Sequence, residues 1–229
     1  LFSKKFYSAN KNRTIGISKS NLQFFNDKII NIEKIVHKLN QIEIYSDNLK
    51  KEKLINFGNN HDYLFSIVKN YKLQEIIEKN LFSNKYFKKI NHKKKINYLS
   101  DYDLIFNSDY NHPITKKYFS KKIEKKYNSV AYTTILDHEK ISNNVAVQIF
   151  TQNGPLAFLP ISDFETSIVY SINNYLKDKK VINNLIKSYN FRYNIKKINK
   201  IDSFDLKGLS LRTYFHKNIL AFGDLLHRI

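Results

Sequence analysis

The residues best suited by type and spacing to do chemistry stand near the end of the chain, where the apolar run Asn218 to Phe222 stops at Gly223-Asp224. A glycine lets the backbone approach a ligand closely, and an aspartate at the carboxyl end of a strand can accept hydrogen bonds from sugar or polyol hydroxyls. Ordinary turns also contain this pair, so at this point both readings stand. Asp137-His138-Glu139 groups an imidazole with two carboxylates, the residue types of acid–base catalysis, but a solvated turn between two strands is expected there. The seven histidines show no H-E-x-x-H or comparable metal-ligand spacing. No G-x-S-x-G elbow, P-loop or G-x-G-x-x-G phosphate loop is present, and Gly16 and Gly58 are too isolated to form one. The chain has no cysteine, which excludes disulfides, thiolate metal sites and a cysteine nucleophile and agrees with a reducing compartment.

These residues need elements to hold them. Ser18 or Ser20 can cap a helix whose apolar side is Leu22, Phe25, Ile29 and Ile32, and Ile42 and Ile44 alternate with polar neighbours as in a half-buried strand. The spacing of Leu73, Ile76, Ile77 and Leu81 predicts a second helix from about Asn70 to Leu81, and Leu104 to Phe106 reads as a short buried strand. From Val130 the period changes. Four β-rich runs, 130–135, 145–150, 157–161 and 166–171, read as consecutive antiparallel strands, with a turn at Asn153-Gly154-Pro155. A helix over 174–189 presents Tyr175, Val181, Ile182, Leu185 and Ile186, and segments 191–198, 209–214 and 218–222 return as strands. The expected class is α/β or α+β: an α/β first part, then an antiparallel sheet.

Composition bounds the function. A chain of 229 residues that is 42% hydrophobic can bury a substantial core. The net charge of +19 points toward a polyanionic partner, yet the positive charge is nearly all Lys, with Arg only at Arg13, Arg192, Arg212 and Arg228. Together with abundant Asn, Ile, Tyr and Phe, this reads as a coding bias that spreads Lys over solvated faces, including the runs Lys93 to Lys95 and Lys121 to Lys126. Nucleic acid is not the expected partner. No apolar run approaches the ~18 residues of a membrane span. There is no Met, so Leu1 is not expected to be a translation start and the chain is expected to be an internal piece of a longer protein.

Several ordered segments resemble the FAD-dependent aromatic hydroxylases (monooxygenases) of the ubiquinone-biosynthesis family. The run Asn218 to Ile229 is similar to the family segment in which an apolar strand leads into Gly-Asp, two small or apolar residues and His. Ala146 to Ser171 resembles a longer block containing a Gly-Pro-Leu-Ala turn, Leu-Pro and a Ser-x-Val-aromatic-Ser strand. Lys11 to Ser18 is similar to the signature D-x-R-x-x-x-[IL]-S with Lys11 in place of Asp, and Tyr63 to Leu81 resembles the strand and helix that begin beside the flavin. Asp103 to Lys116 aligns with the second dinucleotide signature, keeping Asp109 but replacing its Gly, Gly and Ser with Asn107, Tyr110 and Pro113, and its Arg with Lys116.

The resemblance implies a partial FAD-binding domain over 1–116 lacking its N-terminal phosphate-loop unit, an antiparallel substrate domain with a helix over 117–215, and a return to the FAD-binding domain over 216–229. It implies FAD contacts at Arg13, whose guanidinium can pair with a pyrophosphate, and at Lys69, Asp109, Gly223 and Asp224. Phe150, Phe158 and Tyr170 would line a pocket for ring and tail, with core packing the alternative for each. The implied activity is hydroxylation of a polyprenylated phenol with NAD(P)H and O2, with no confident side-chain acid or base. The implied setting is the cytoplasm, peripheral at the inner membrane, within a ubiquinone-biosynthesis complex. The substitutions at Asn107, Tyr110 and Pro113 keep a second class open, a non-catalytic relative that serves as a structural or assembly partner.

Overall fold

The computed structural model describes residues 11–47, 52–58, 62–90, 101–173 and 178–228. Lys93 to Lys95, His61 and His92 lie outside them. In chain order the elements are β1 (Thr14–Ser18), α1 (Lys19–Phe24), β2 (Val36–Leu39), β3 (Gln41–Ser46), β4 (Lys53–Gly58), β5 (Phe65–Lys69) and α2 (Asn70–Phe82). There follow β6 (Ile105–Asn107), α3 (Pro113–Tyr118), β7 (Lys122–His138), β8 (Val145–Thr151), β9 (Gly154–Pro160) and β10 (Glu165–Asn173). The chain continues with α4 (Lys179–Tyr189), β11 (Ile195–Ile198), β12 (Asp202–Leu211), β13 (Phe215–His216), β14 (Ile219–Ala221) and β15 (His227–Arg228). The class is α+β, as expected.

Two compact units result. One comprises Leu1–Ile90 with Val130–Phe204, the other Asn91–Ser129 with Asp205–Ile229. The N-terminal third therefore packs with the antiparallel strands. The unit boundaries fall inside the long strands β7 and β12.

In the first unit the strands run in the order β7-β10-β9-β8-β3-β4, with β3 parallel to β8 and the β8, β9 and β10 pairs antiparallel. Successive side chains on a strand point to opposite faces, so register decides who shares a face. Val147, Phe158 and Ile168 stand in one row and Ile149, Leu156 and Tyr170 in the next. All six are buried with Val130, Tyr132 and Leu136 against Ile182 and Ile186 of α4. Each fully buried large apolar side chain contributes about 1.5–3 kcal/mol, so this face is the main store of stability. Asp178 caps α4 by accepting the Lys180 amide at 2.8 Å, and Ile182, Leu185 and Ile186 form its packed stripe, whereas Val181 is turned to solvent.

The opposite face carries a second, three-stranded sheet in the order β1-β5-β2. Leu39 and Ile67 of that sheet meet Ala146, with Ile42, Phe65, Leu159 and Ile161 around them. Its own outer side packs on α1 and α2 through Ile17, Leu22, Ile32, Val68 and Leu73. Ser18 caps α1 as expected, but the helix widens into a π-turn over Phe25–Ile29, and Ile32 re-enters the core with its amide bonded to the Asn26 side chain at 2.9 Å. One helical stripe was expected there; the side-chain acceptor at Asn26 competes with the backbone and ends it.

Two local features correct the sequence reading. In Asp137-His138-Glu139 only Glu139 is exposed: His138 ends β7 and is 2% exposed. Its Nδ1 donates to the Glu139 carbonyl at 2.7 Å, and its Nε2 and the Asn143 amide both meet the Thr166 hydroxyl at 3.0 Å. The Tyr193 hydroxyl closes the network on Asn143 Oδ1 at 3.1 Å. Buried polar groups must find such partners, so these four side chains hold the sheet together. The β8–β9 turn is centred on Gln152-Asn153, and Gly154 already pairs with Thr151. Glu43, on the α4 side of β3, accepts from the Tyr45 hydroxyl at 2.8 Å and from Lys53 at 2.5 Å. Burial pushes Glu43 up, but these two bonds outweigh it and hold its carboxyl below the usual range.

Gly154 has φ +131°, and an added Cβ would lie 2.2 Å from the Ser171 carbonyl oxygen. Gly154→Ala is expected to cost about 3 kcal/mol or more, from strain and backbone clash together, measured by urea unfolding. Burial and the bond to Glu43 push the Tyr45 hydroxyl up from 10.0 to about 12. The folded state thus holds the proton more tightly, so this stabilisation is complete below pH 10 and is lost as pH rises toward 12. The contribution is roughly 2 kcal/mol, and Tyr45→Phe should remove that part of the alkaline loss in unfolding measured against pH.

Candidate functional site

In the second unit β6 and β14 are parallel neighbours, with Ile105 beside Ile219 and Asn107 beside Ala221. Their carboxyl ends lie side by side, and the Phe222 amide donates to the Asn107 carbonyl at 2.9 Å. Ligands of α/β sheets settle at such adjacent carboxyl ends. Asp109 and Gly223-Asp224, 115 positions apart for the two aspartates, are thus delivered to one end of one sheet.

The two turns differ in openness. Gly223 has φ +64°, with nothing within 4 Å of where a Cβ would stand, and opens a short 3-10 turn closed by the Leu226 amide on its carbonyl. Asp224 is exposed, and its carboxylate has no partner among the described residues. An open carboxylate acceptor beside a bare glycine fits a polyol such as ribitol, whose hydroxyls donate. The loop after β6 is filled from within. Asn107 is buried, with its amide on the Thr115 hydroxyl at 2.8 Å, and that hydroxyl donates to the Asp109 carbonyl at 2.6 Å. The Asp109 carboxylate accepts the Asn111 amide at 2.8 Å, an Asx turn. Tyr110 reaches Glu124 at 3.0 Å and also meets Lys122. A side chain thus ties down a position where the resemblance expected a bare glycine.

The other two expected cofactor residues belong to the first unit. Arg13 directly precedes β1, and Thr14 pairs with Lys69, so the two cations sit at one end of adjacent strands. The Arg13 guanidinium lies 5.1 Å from the centre of the Phe204 ring, and its carbonyl accepts the Asn70 amide at 2.9 Å. Asn12 anchors the approach through the Lys200 carbonyl at 2.8 Å and Asp202 at 2.7 Å. Lys69 is already engaged, with Nζ at 2.7 and 2.9 Å from the two oxygens of Glu165. An anion at Lys69 would have to compete with that carboxylate.

Strand alternation separates the three expected pocket aromatics. Phe150 lies on the face away from α4 and is 46% exposed. Phe158 and Tyr170 point the other way, into the core, where Phe158 stacks near Tyr193 and the Tyr170 hydroxyl meets Thr151 at 2.9 Å. They are core residues, because they are an even number of residues from Val147 or its cross-strand partners and Phe150 is not. What Phe150 shares its face with was missed in the sequence. Ile55, Ile44, Gln148, Ala157 and Val169 form one continuous row across five strands. Phe57, Ile42, Ala146, Leu159 and Ser167 form the next, which the small sheet partly covers. Ile55 and Phe57 are about half exposed, at 47% and 50%. The alternation of Ile42 and Ile44 was the visible signal, but β4 had no periodic pattern of its own. A separate cleft of about 700 Å³ between α4 and β11 is lined by Asn183, Lys187, Asn190 and Lys197. Tyr193, Ile195 and Ile198 complete that lining, which is as apolar as it is polar.

No protein-family model matches the chain, and no curated protein matches it in sequence. Solved structures do match in fold. A probable FAD-dependent monooxygenase from Pseudomonas aeruginosa, PqsL, superposes with a TM-score of 0.72 at 10% identity, over 100% of this chain and 72% of its own. The p-nitrophenol 4-monooxygenase PnpA from Pseudomonas putida gives 0.73 at 8% identity, over 99% and 66%. HpxO from Klebsiella pneumoniae, solved with FAD and uric acid, gives 0.67 at 9% identity, over 93% and 64%. The chain spans roughly two thirds of the length of these proteins. The chain has the fold that PqsL, PnpA and HpxO share over this length.

Proposed function

We propose that this chain supplies part of the flavin site and the ring-facing sheet of an FAD-dependent monooxygenase acting on an aromatic substrate. The observation that carries the reading is the pairing of β6 and β14, which sets the open Gly223-Asp224 turn at a shared carboxyl end of parallel strands. Asp224 would accept hydrogen bonds from the ribitol of FAD, and Gly223 would let it approach the backbone. In the first unit Arg13 would pair with a pyrophosphate, joined by Lys69 beside it once Glu165 yields, and in the second unit Asp109 would be a further cofactor contact. FAD, reduced by NAD(P)H, supplies the oxygen-transfer chemistry with O2, while the protein orients the ring and excludes water.

The substrate proposed is a polyprenylated phenol of ubiquinone biosynthesis, supported by the Ala146 to Ser171 block and by the apolar face that block builds around Phe150. Such a tail brings the enzyme to an anionic membrane surface, where excess Lys adds attraction, and a peripheral position at the cytoplasmic side within a biosynthetic complex follows from the same substrate. Among the described residues no helix is long and apolar enough to cross a membrane. One observation favours the non-catalytic alternative, a structural or assembly partner: the Tyr110 hydroxyl is already bonded to Glu124 of β7 and the Asp109 carboxylate to the Asn111 amide of its own loop.

Equilibrium titration with FAD, followed by flavin absorbance and fluorescence, separates the two. The monooxygenase reading expects saturable binding that weakens about tenfold in Asp224→Ala and in Arg13→Ala, the scale of a lost charged hydrogen bond. A folded, colourless protein that takes up no FAD would overturn the monooxygenase reading.

A further inference from the structure

We infer that Gln148 is the side chain that selects the substrate, and that the ring it selects is uncharged. This rests on the reading of the open sheet face as the ring wall. Gln148 is the middle member of the five-strand row, with Ile44 on one side and Ala157 on the other, then Ile55 and Val169 at the ends. It is the one hydrogen-bonding side chain in an otherwise apolar row. Its amide makes no side-chain hydrogen bond with the described residues, although it is half-buried. The short Ala157 beside it leaves space above the strands, while Phe150 and Phe57 rise on the neighbouring rows.

An apolar site with a single fixed polar group orients a ligand through that group. An amide can accept from a phenolic hydroxyl and donate to a carbonyl or ether oxygen, so it suits a neutral oxygenated ring. It offers a carboxylate no counter-charge. The Gln148 row contains no charged residue, nor does the run of Ser46, Phe150 and Pro155 next to it. At the margin covered by the small sheet Lys69 and Glu165 pair with each other, and Arg13 beside Lys69 packs over the Phe204 ring. In a chain of net charge +19, a charge-free face selects against anions, because a carboxylate laid on it would lose water and gain no cation.

Calorimetric titration of the full chain with a para-alkylphenol, the alkylbenzene of equal length and para-hydroxybenzoate tests this. The phenol should bind about tenfold more tightly than the alkylbenzene, and para-hydroxybenzoate more weakly than either. Gln148→Leu should erase the preference for the phenol while keeping affinity for the alkylbenzene, and Gln148→Lys should make para-hydroxybenzoate a ligand. Phe150→Ala should weaken phenol and alkylbenzene alike. If Phe150→Ala does so but Gln148→Leu keeps the tenfold preference, the role of Gln148 is overturned and the wall stands. If Phe150→Ala changes neither, the wall itself is wrong and the inference goes with it.

Discussion

The rest of the first unit depends on the two-residue period of its central strands. Once Val147, Phe158 and Ile168 are committed to the side sealed by α4, every second residue on β8, β9 and β10 is sent to the other side. Among the described residues of this unit, the three-stranded sheet covers that face only in part, with contacts around Ala146 and Leu159. The uncovered remainder is the apolar surface around Phe150 and Gln148. A slip of one residue in this register would exchange the two faces, burying Gln148 and exposing Phe158.

The sharp return at Gly154 protects that register. The backbone of the turn lies too close to the Ser171 carbonyl for any side chain, and the Thr151 hydroxyl, 2.7 Å from the Gly154 carbonyl, also meets Tyr170. The turn, the end of β8 and the core aromatic on β10 are therefore fixed as one arrangement. The buried network of His138, Asn143, Thr166 and Tyr193 does the same at the opposite end of β10, where a misplaced strand would strand polar groups without partners.

The second unit works on a different constraint. Parallel strands leave their carboxyl ends together, and the two connections that follow must share the space beyond them. Around β14 the chain places a left-handed glycine and a carboxylate that has no partner among the described residues. Around β6 it fills the space with Asn107, Thr115 and Tyr110. The molecule thus keeps one open and one self-satisfied turn where the resemblance expected two open ones.

Much of this was legible in residue order. The strands at 145–151 and 165–173, the helix from Asn70, the apolar strand ending at Gly223-Asp224 and the α+β class follow from local periodicity and turn chemistry, which depend on near neighbours in the chain. Other features depended on contacts between distant residues. β4 became a strand because β3 offered its edge, His138 was buried because Asn143 and Thr166 could satisfy it, and Lys69 was neutralised by a glutamate 96 positions away. Phe150, Phe158 and Tyr170 look alike as letters. Only the pairing of three strands, with a helix laid on one side of them, decided that two are core and one faces outward beside Gln148, because burial is a property of the face that tertiary packing covers and not of the side chain that lies on it.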